Sequence, residues 1–246
     1  MKLLVCISKA PDTTSKISFT DNNTKFNEGG VQYIVNPYDE WYALVRALEI
    51  KETLGGSVTI ITVGTASDDA IIRKALAIGA DEAVRIDAEP LDALFVAKQL
   101  AEYAKGKDFD IILTGKETID YNGSQVGGML AELLDQPFVS HASKLDLSGN
   151  TATLEIDIPG GSEVVEVNTP FVVSAAKGMS EARIPNMRGI MAARTKPLNV
   201  VPASAAPIHT TIKSYALPPE KKGCKMISAD TPEQLIELLH NEAKAI

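Results

Sequence analysis

The chain is poor in the residues that most directly announce chemistry. Its 246 residues include two cysteines, three histidines and one tryptophan, and aromatic residues make up 5%. Cys6 and Cys224 stand far apart, which excludes a disulfide framework and a zinc cluster. His141, His209 and His240 share no metal-ligand spacing and read as surface or helix-end residues. A net charge of −8 argues against binding a phosphate backbone, and so few aromatics leave no platform for stacked bases. No run approaches the roughly 18 apolar residues that cross a bilayer, and the apolar run at residues 3–7 is too short for a signal peptide. The expectation is a cytoplasmic protein, or one of an organelle's soluble matrix, with no nucleic-acid partner and no membrane insertion.

Signatures of side-chain catalysis are missing too. The sequence has no GxSxG elbow, no HExxH and no Cys/His nucleophile pair. Gly115-Lys116 is followed by Glu117, so the serine or threonine that a P-loop offers to magnesium is absent. No GxGxxG follows the first apolar run. Carboxylates are plentiful, but most, such as Glu49 and Glu52, fall at solvated helix positions, and no pair stands out as a tuned acid and base. A binding or carrier function fits better than catalysis.

What is present is a core. Apolar residues make up 45% and charged residues 23%, the balance of a globular protein. Residues 2–7 (KLLVCI), 57–63 (SVTIITV), 83–86 and 110–114 (DIILT) are short apolar runs typical of buried strands. Helical spacing fills the gaps at about 68–77, 91–105 and 123–134. A further helix opens at Asn36-Pro37-Tyr38-Asp39, with Asn36 as cap and Pro37 in the first turn, and stops at Gly55-Gly56. Residues 17–19 and Phe26 flank the turn 21–23 and predict a hairpin. This alternation predicts a parallel sheet covered on both faces.

After Gln136 the pattern changes. Residues 145–147, 151–158, 163–167 and 171–174 are short strands separated by glycine turns, as in antiparallel pairs. Residues 186–194 form a basic helical stretch, and residues 195–219, with five prolines, read as an extended arm. Thr231-Pro232-Glu233-Gln234 opens a last helix as a capping box and presents Leu235, Leu238 and Leu239. Such an arm either embraces a partner or folds back on its own domain.

In an open parallel sheet, ligands bind beyond the carboxyl ends of the strands. Residues 6–9, 63–65 and 115–131 converge there. Within the last, Asp120-Tyr121-Asn122-Gly123-Ser124-Gln125-Val126-Gly127-Gly128 combines small residues, hydrogen-bonding side chains and a helix start. Glycines admit a ligand to the backbone, and the amides of a helix N-terminus favour phosphate. An ordinary strand-to-helix loop over a close-packed helix is the competing account of the same residues.

Several segments in register resemble the small (beta) subunit of electron-transfer flavoproteins. They are Val5-Cys6-Ile7 through Pro11-Asp12-Thr13, Asn36-Pro37-Tyr38-Asp39-Glu40, and Arg73-Lys74-Ala75-Leu76-Ala77-Ile78-Gly79-Ala80-Asp81. Gly115-Lys116-Glu117-Thr118-Ile119-Asp120 with Gln125-Val126-Gly127, Gly160-Gly161-Ser162-Glu163 with Pro170-Phe171-Val172-Val173, and Ile184-Pro185-Asn186-Met187 complete the set. The resemblance covers residues 1 to about 200, and the arm fits in length.

The resemblance implies a parallel, doubly wound α/β sheet of the adenine-nucleotide-binding (ETF/universal-stress-like) type, with a small antiparallel addition and an extended C-terminal arm. Residues 1–194 would form the AMP-binding domain, and 195–246 the arm that embraces an alpha subunit. The two subunits would share FAD, taking electrons from flavin dehydrogenases, such as the acyl-CoA dehydrogenases of fatty acid beta-oxidation, to a quinone oxidoreductase. Carried over by position, the AMP site comprises Cys6, Asn36, Pro37, Tyr38, Asp39, Val63, Asp120, Asn122, Gly123, Ser124, Gln125, Val126, Gly127, Gly128 and Ala131. Phosphate would lie on the amides near 125–128, and adenine against Cys6 and the Asn36-Pro37 turn. Tyr38 and Thr13 would face the isoalloxazine, Thr13 standing where the family often has an aromatic. Residues 181–194 correspond to the recognition loop, with Ile184, Pro185, Asn186 and Arg188 as partner contacts and Arg194 as a second steering charge. Glu155 or Asp157 would pair across the subunits. Two other readings stay open: an electron-bifurcating relative with a second FAD in place of AMP, and a stand-alone adenine-nucleotide-binding protein.

Overall fold

The computed structural model describes residues 1–37, 39–117, 122–220 and 223–246. Strand β1 (Lys2–Cys6) leads into β2 (Lys9–Pro11), the hairpin β3 (Phe19–Thr20) and β4 (Lys25–Phe26), and β5 (Tyr33–Val35). Helix α1 (Asp39–Leu54), β6 (Ser57–Gly64), α2 (Asp69–Ile78), β7 (Glu82–Asp87), α3 (Ala93–Ala104), β8 (Ile111–Gly115) and α4 (Val126–Leu134) then alternate. The chain continues through β9 (Phe138–Ser148), β10 (Thr151–Ile158), β11 (Gly161–Asn168), β12 (Phe171–Ala175), α5 (Met187–Ala193), β13 (Leu198–Pro202) and α6 (Glu233–Leu238).

Among the described residues the main sheet has nine strands, in the order β11-β10-β9-β12-β8-β1-β6-β7-β13. From β9 to β13 every neighbouring pair is parallel, whereas β10 pairs antiparallel with both β9 and β11. Alternate side chains of each central strand feed two separate cores. Leu3 and Val5 of β1 pack with Leu44, Leu48, Ile72 and Leu76 of α1 and α2. Leu4 and Cys6 pack with Phe95, Leu100, Leu130 and Ala131 of α3 and α4. Continuous apolar runs follow from this burial on both faces.

The chain winds outward from β1 through β6 and β7, then crosses back to β8 on the other side of β1. The switch point therefore lies between β1 and β8, whose register pairs Leu3 with Ile111 and Val5 with Leu113. In open parallel sheets the flanking loops part to opposite faces at such a point, and the crevice they leave beyond the carboxyl ends of the strands is where ligands bind.

Five local expectations are corrected. α1 begins at Asp39 rather than at the Asn36-Pro37 turn, because Asn36 N–H bonds Ser8 O (3.1 Å), prolonging the β2–β5 pairing. α4 begins at Val126 rather than Gly123, since Asn122 and Ser124 hold positive φ angles of 48° and 50°. β12 is not an antiparallel partner: its five consecutive buried residues fit an interior strand, and it lies parallel between β8 and β9. The segment taken as arm from residue 195 first adds β13 to the sheet edge, where Pro202 at the strand's end is tolerated. The capping box at Thr231 does not form, because Pro232 occupies the cap position and offers no side-chain acceptor.

Beyond β13 the chain stays on its own domain for a further stretch. The buried Gln99 side chain on α3 accepts from Ser204 N–H (2.8 Å) and donates to Ser204 O (2.9 Å). Asp92 caps α3 through Phe95 N–H and accepts from His209 and Thr210 N–H. Tyr215 stacks on Phe19 of the hairpin with centroids 4.9 Å apart. α6 is different: none of its residues is buried, and Leu235 and Ile236 face solvent.

Candidate functional site

The crevice between β1 and β8 is closed on one side by the first turn of α1. Glu40 accepts Ser8 N–H (2.5 Å) and the Ser8 hydroxyl (2.7 Å), fixing the chain where it leaves β1. Asp39 accepts Glu117 N–H (3.2 Å), fixing the chain where it leaves β8. Asn36 bridges the two, since its amide donates to Glu117 O at 2.9 Å. Carboxylates in a first turn are also favoured by the helix dipole. Gly115 ends β8 directly beneath this turn, and a Cβ there would lie 2.7 Å from Glu40 Cγ and 3.0 Å from Glu40 N.

The opposite wall is α4. Its first-turn amides at Val126, Gly127 and Gly128 have no acceptor within the helix, whose first bond runs from Met129 N–H to Gln125 O at 3.1 Å. Ser124 in the left-handed region followed by Gln125 in the right-handed region turns successive amides to one side, an arrangement suited to an anion. Holding Asn122 and Ser124 left-handed costs about 1–3 kcal/mol each, a strain typical of ligand-contacting loops. Gly127 lets α4 approach β8: a Cβ would meet Thr114 Oγ1 at 2.8 Å and the Phe138 ring at 3.0 Å. Ala131 is buried one turn further on and, with Cys6 and Val63, belongs to the core beneath the crevice.

Of the residues named from sequence, Cys6, Val63 and Ala131 belong to one buried core, and Asn36, followed by Pro37, and Asp39 bond the chain beyond β8 through Glu117. Asn122, Gly123, Ser124 and Gln125 lead into α4, and Val126, Gly127 and Gly128 form its first turn. Tyr38 and Asp120 lie outside the described residues. Burial holds the Asp39 carboxyl above its usual range, offset in part by the bond from Glu117 and the charge of Lys116. Burial, reinforced by the charge of Glu40, pushes the Cys6 thiol far up. Cys6 therefore stays a protonated, unreactive wall atom. Iodoacetamide at pH 8 is expected to label the exposed Cys224 in the folded protein and both cysteines after denaturation. Intact-mass counting of adducts checks this, and two adducts on folded protein would refute it.

A second exposed region lies on the far side of α1 and α2. Ile184 is 85% exposed and Met187 is 74% exposed, with Met191, Arg188 and Arg194 beside them on the surface. Asn186 caps α5 by accepting Gly189 N–H at 2.8 Å. Of the two candidate acids on β10, Glu155 pairs with Lys144 (2.8 Å), and Asp157 accepts from Ser143 Oγ (3.4 Å).

Comparison with known proteins decides the family. The model of the electron transfer flavoprotein domain matches residues 23–206. The chain is 37% identical to "Electron transfer flavoprotein subunit beta" of Bacillus subtilis across 100% of both chains. Against the protein of that name from Syntrophomonas wolfei it is 38% identical, covering 99% of this chain and 98% of the relative. The Homo sapiens protein of that name is 30% identical, with 97% and 96% covered. The chain belongs to the electron transfer flavoprotein beta-subunit family.

For an electron transfer flavoprotein beta subunit, the family implies association with flavin and an alpha-subunit partner, and the naming is that of a carrier rather than an enzyme. No helix among the described residues is long and apolar enough to cross a membrane. Sequence reasoning placed Ser8, Lys9 and Glu117 in the converging segments but missed their contacts: the bonds of Ser8 to Glu40 and of Glu117 to Asp39, and the pair Lys9–Asp68 (2.8 Å) that ties the start of β2 to the turn after β6. Asp39-Glu40 at a helix start was a usable signal, because two first-turn acids facing strand ends find backbone donors nearby.

Proposed function

We propose that this chain is the beta subunit of a cytoplasmic heterodimeric electron carrier. Its alpha subunit shares an FAD with it, and its own crevice takes one AMP. Electrons arrive from flavin dehydrogenases such as acyl-CoA dehydrogenases and leave to a quinone oxidoreductase. The observation that carries the nucleotide assignment is the pairing, at the switch point, of α4's first-turn amides with left-handed Ser124. That donor set suits a phosphate, and the half-lined apolar floor of Cys6 and Val63 suits a purine beside it. The Glu117 carboxylate, which accepts from Ser124 Oγ at 3.4 Å and pairs with Lys116 at 3.0 Å, would yield Ser124 to the phosphate.

In this reading the nucleotide is structural, filling space that close packing would otherwise lose. The flavin supplies reversible acceptance of electrons when bound. This chain contributes a wall to it through Thr13, which is exposed after β2. The chain beyond Tyr215 acts as the arm, and the uncovered apolar side chains of α6 support a partner seated there. Ile184 with Pro185, Asn186 and Arg188 forms the dehydrogenase contact, and Arg188 and Arg194 steer an acidic partner.

The test is to co-express the chain with its alpha subunit, purify the complex and quantify released nucleotides by mass spectrometry. One FAD and one AMP per heterodimer is the expected result. Two FAD and no AMP would move the assignment to an electron-bifurcating relative, and a folded complex without flavin would overturn it.

A further inference from the structure

Ile184 stands almost bare in solvent, yet the chain on both sides of it is pinned. We infer that two clamps, one on α1 and one on α2, preset residues 180–196 as a rigid docking platform, with Arg183 and Gly189 as positioning residues. The inference rests on the reading of Ile184 as a dehydrogenase contact.

The first clamp runs along one stripe of α1. Ser180 Oγ donates to Glu49 at 2.8 Å. The Arg183 guanidinium forks onto both oxygens of Glu52, at 2.6 and 3.1 Å, and Trp41 Nε1 donates to Arg183 O at 3.3 Å. Paired nitrogens on a planar carboxylate fix direction as well as distance. Glu49 and Glu52, which read from sequence as solvated helix acids, are the anchors of this loop. Arg183 is thereby occupied holding the chain, one residue before the side chain that protrudes.

The second clamp is on α2. Gly189 presses α5 against it so closely that a Cβ would lie 2.3 Å from Ala77 O. Arg73 Nη1 donates to Ala193 O (2.8 Å) and Lys196 O (2.6 Å) at the end of α5. Lys196 Nζ returns one bond to the last turn of α2, at Leu76 O (2.9 Å), and one just past its end, at Ala80 O (2.5 Å). Cations that donate to the last carbonyls of a helix also complement its dipole. Between the clamps run residues 184–188, and Ile184 and Met187 project from that short span. A protruding apolar group on a preset backbone docks without having to order its loop first.

The experiment uses the heterodimer, with a purified acyl-CoA dehydrogenase, reduced by its own substrate, as the electron donor. Arg183→Glu is expected to raise the KM for the dehydrogenase about tenfold with kcat unchanged, as when one loop in ten is competent to dock. Hydrogen exchange at residues 181–187 should quicken in the same variant. Adding Glu52→Arg to Arg183→Glu reverses the pair and should restore both KM and exchange, which a purely structural defect would not do. Gly189→Ala, acting through the other clamp, should show the same split of KM from kcat.

Unchanged exchange in Arg183→Glu, or quickened exchange with unchanged KM, would overturn the inference. So would a single variant whose exchange the reversed pair does not restore. If Ile184→Ala also leaves KM unchanged, it is the docking reading that fails. Exchange and its rescue then still decide whether the clamp holds the loop.

Discussion

Gly115→Val is expected to empty the crevice. The substitution places a branched side chain where even a Cβ would sit 2.7 Å from Glu40 Cγ and 3.1 Å from Asp39 Cβ. Neither neighbour has room to retreat. Glu40 is buried and holds Ser8 by two bonds, while Asp39 holds Glu117. The first turn of α1 must therefore move off β8, and the Asn36 bridge to Glu117 opens with it. Overpacking of this kind costs about 1–3 kcal/mol, which for a chain of this size lowers Tm by several degrees. The larger effect falls on the ligand, because a nucleotide loses its wall and the alignment of the two strand ends together. The affinity for AMP should fall at least about tenfold, since a loss of about 1.4 kcal/mol in binding is already tenfold in Kd, and the purified complex should carry correspondingly less AMP than wild type. Mass spectrometry of released nucleotide and a melting curve measure the two effects. Full AMP content would show that the nucleotide, if present, sits elsewhere.

Ile184→Asp is expected to cut productive encounter with the donor dehydrogenase by about thirtyfold or more. Burying an isoleucine in a partner's pocket contributes about 1.5–3 kcal/mol, and a carboxylate forced into that pocket adds a desolvation cost. At 85% exposure the side chain makes little contact with its own chain, so the substitution should leave folding and flavin content intact. That separation is the diagnostic. A rise in KM with unchanged flavin and unchanged Tm places the residue at the docking face. A fall in Tm would assign it to internal packing, and an unchanged KM would remove it from the contact altogether. Ile184→Ala gives the milder form of the same result, slower electron acceptance at low donor concentration.

Legibility differed by element, and for physical reasons. β1, β6 and β8 were plain in the sequence because strands buried on both faces must be largely apolar, and KLLVC, SVTIITVG and IILTG satisfy that, whereas β7 carries the buried Arg85 within EAVRID and showed only as the short run 83–86. The β3–β4 hairpin was legible from its turn residues, and Asp21, Asn22 and Asn23 do adopt positive φ. β12 looked like one more short strand in the antiparallel series after Gln136. Its parallel placement between β8 and β9 depends on which neighbours have an open edge, a property of the assembled sheet. β13 was hidden because an edge strand with prolines near it has the composition of a linker.

The candidate crevice was legible in outline. Residues such as Cys6, Asn36 and Gln125 were named from their position after strands and from resemblance. The bracing by Ser8, Glu40 and Glu117 was not, since their hydrogen bonds join segments 32 and 78 residues apart. The sequence by itself determined the α/β alternation and the family, because periodicity, turn chemistry and helix starts are local properties. Only the tertiary structure decided that Glu49 and Glu52 anchor a loop more than a hundred residues away, with separations of 131 in both cases. It alone decided, too, that Gly115 and Gly189 are sites of contact rather than of flexibility. What lies across from a glycine or a carboxylate is set by packing, and packing joins parts of the chain that no local pattern connects.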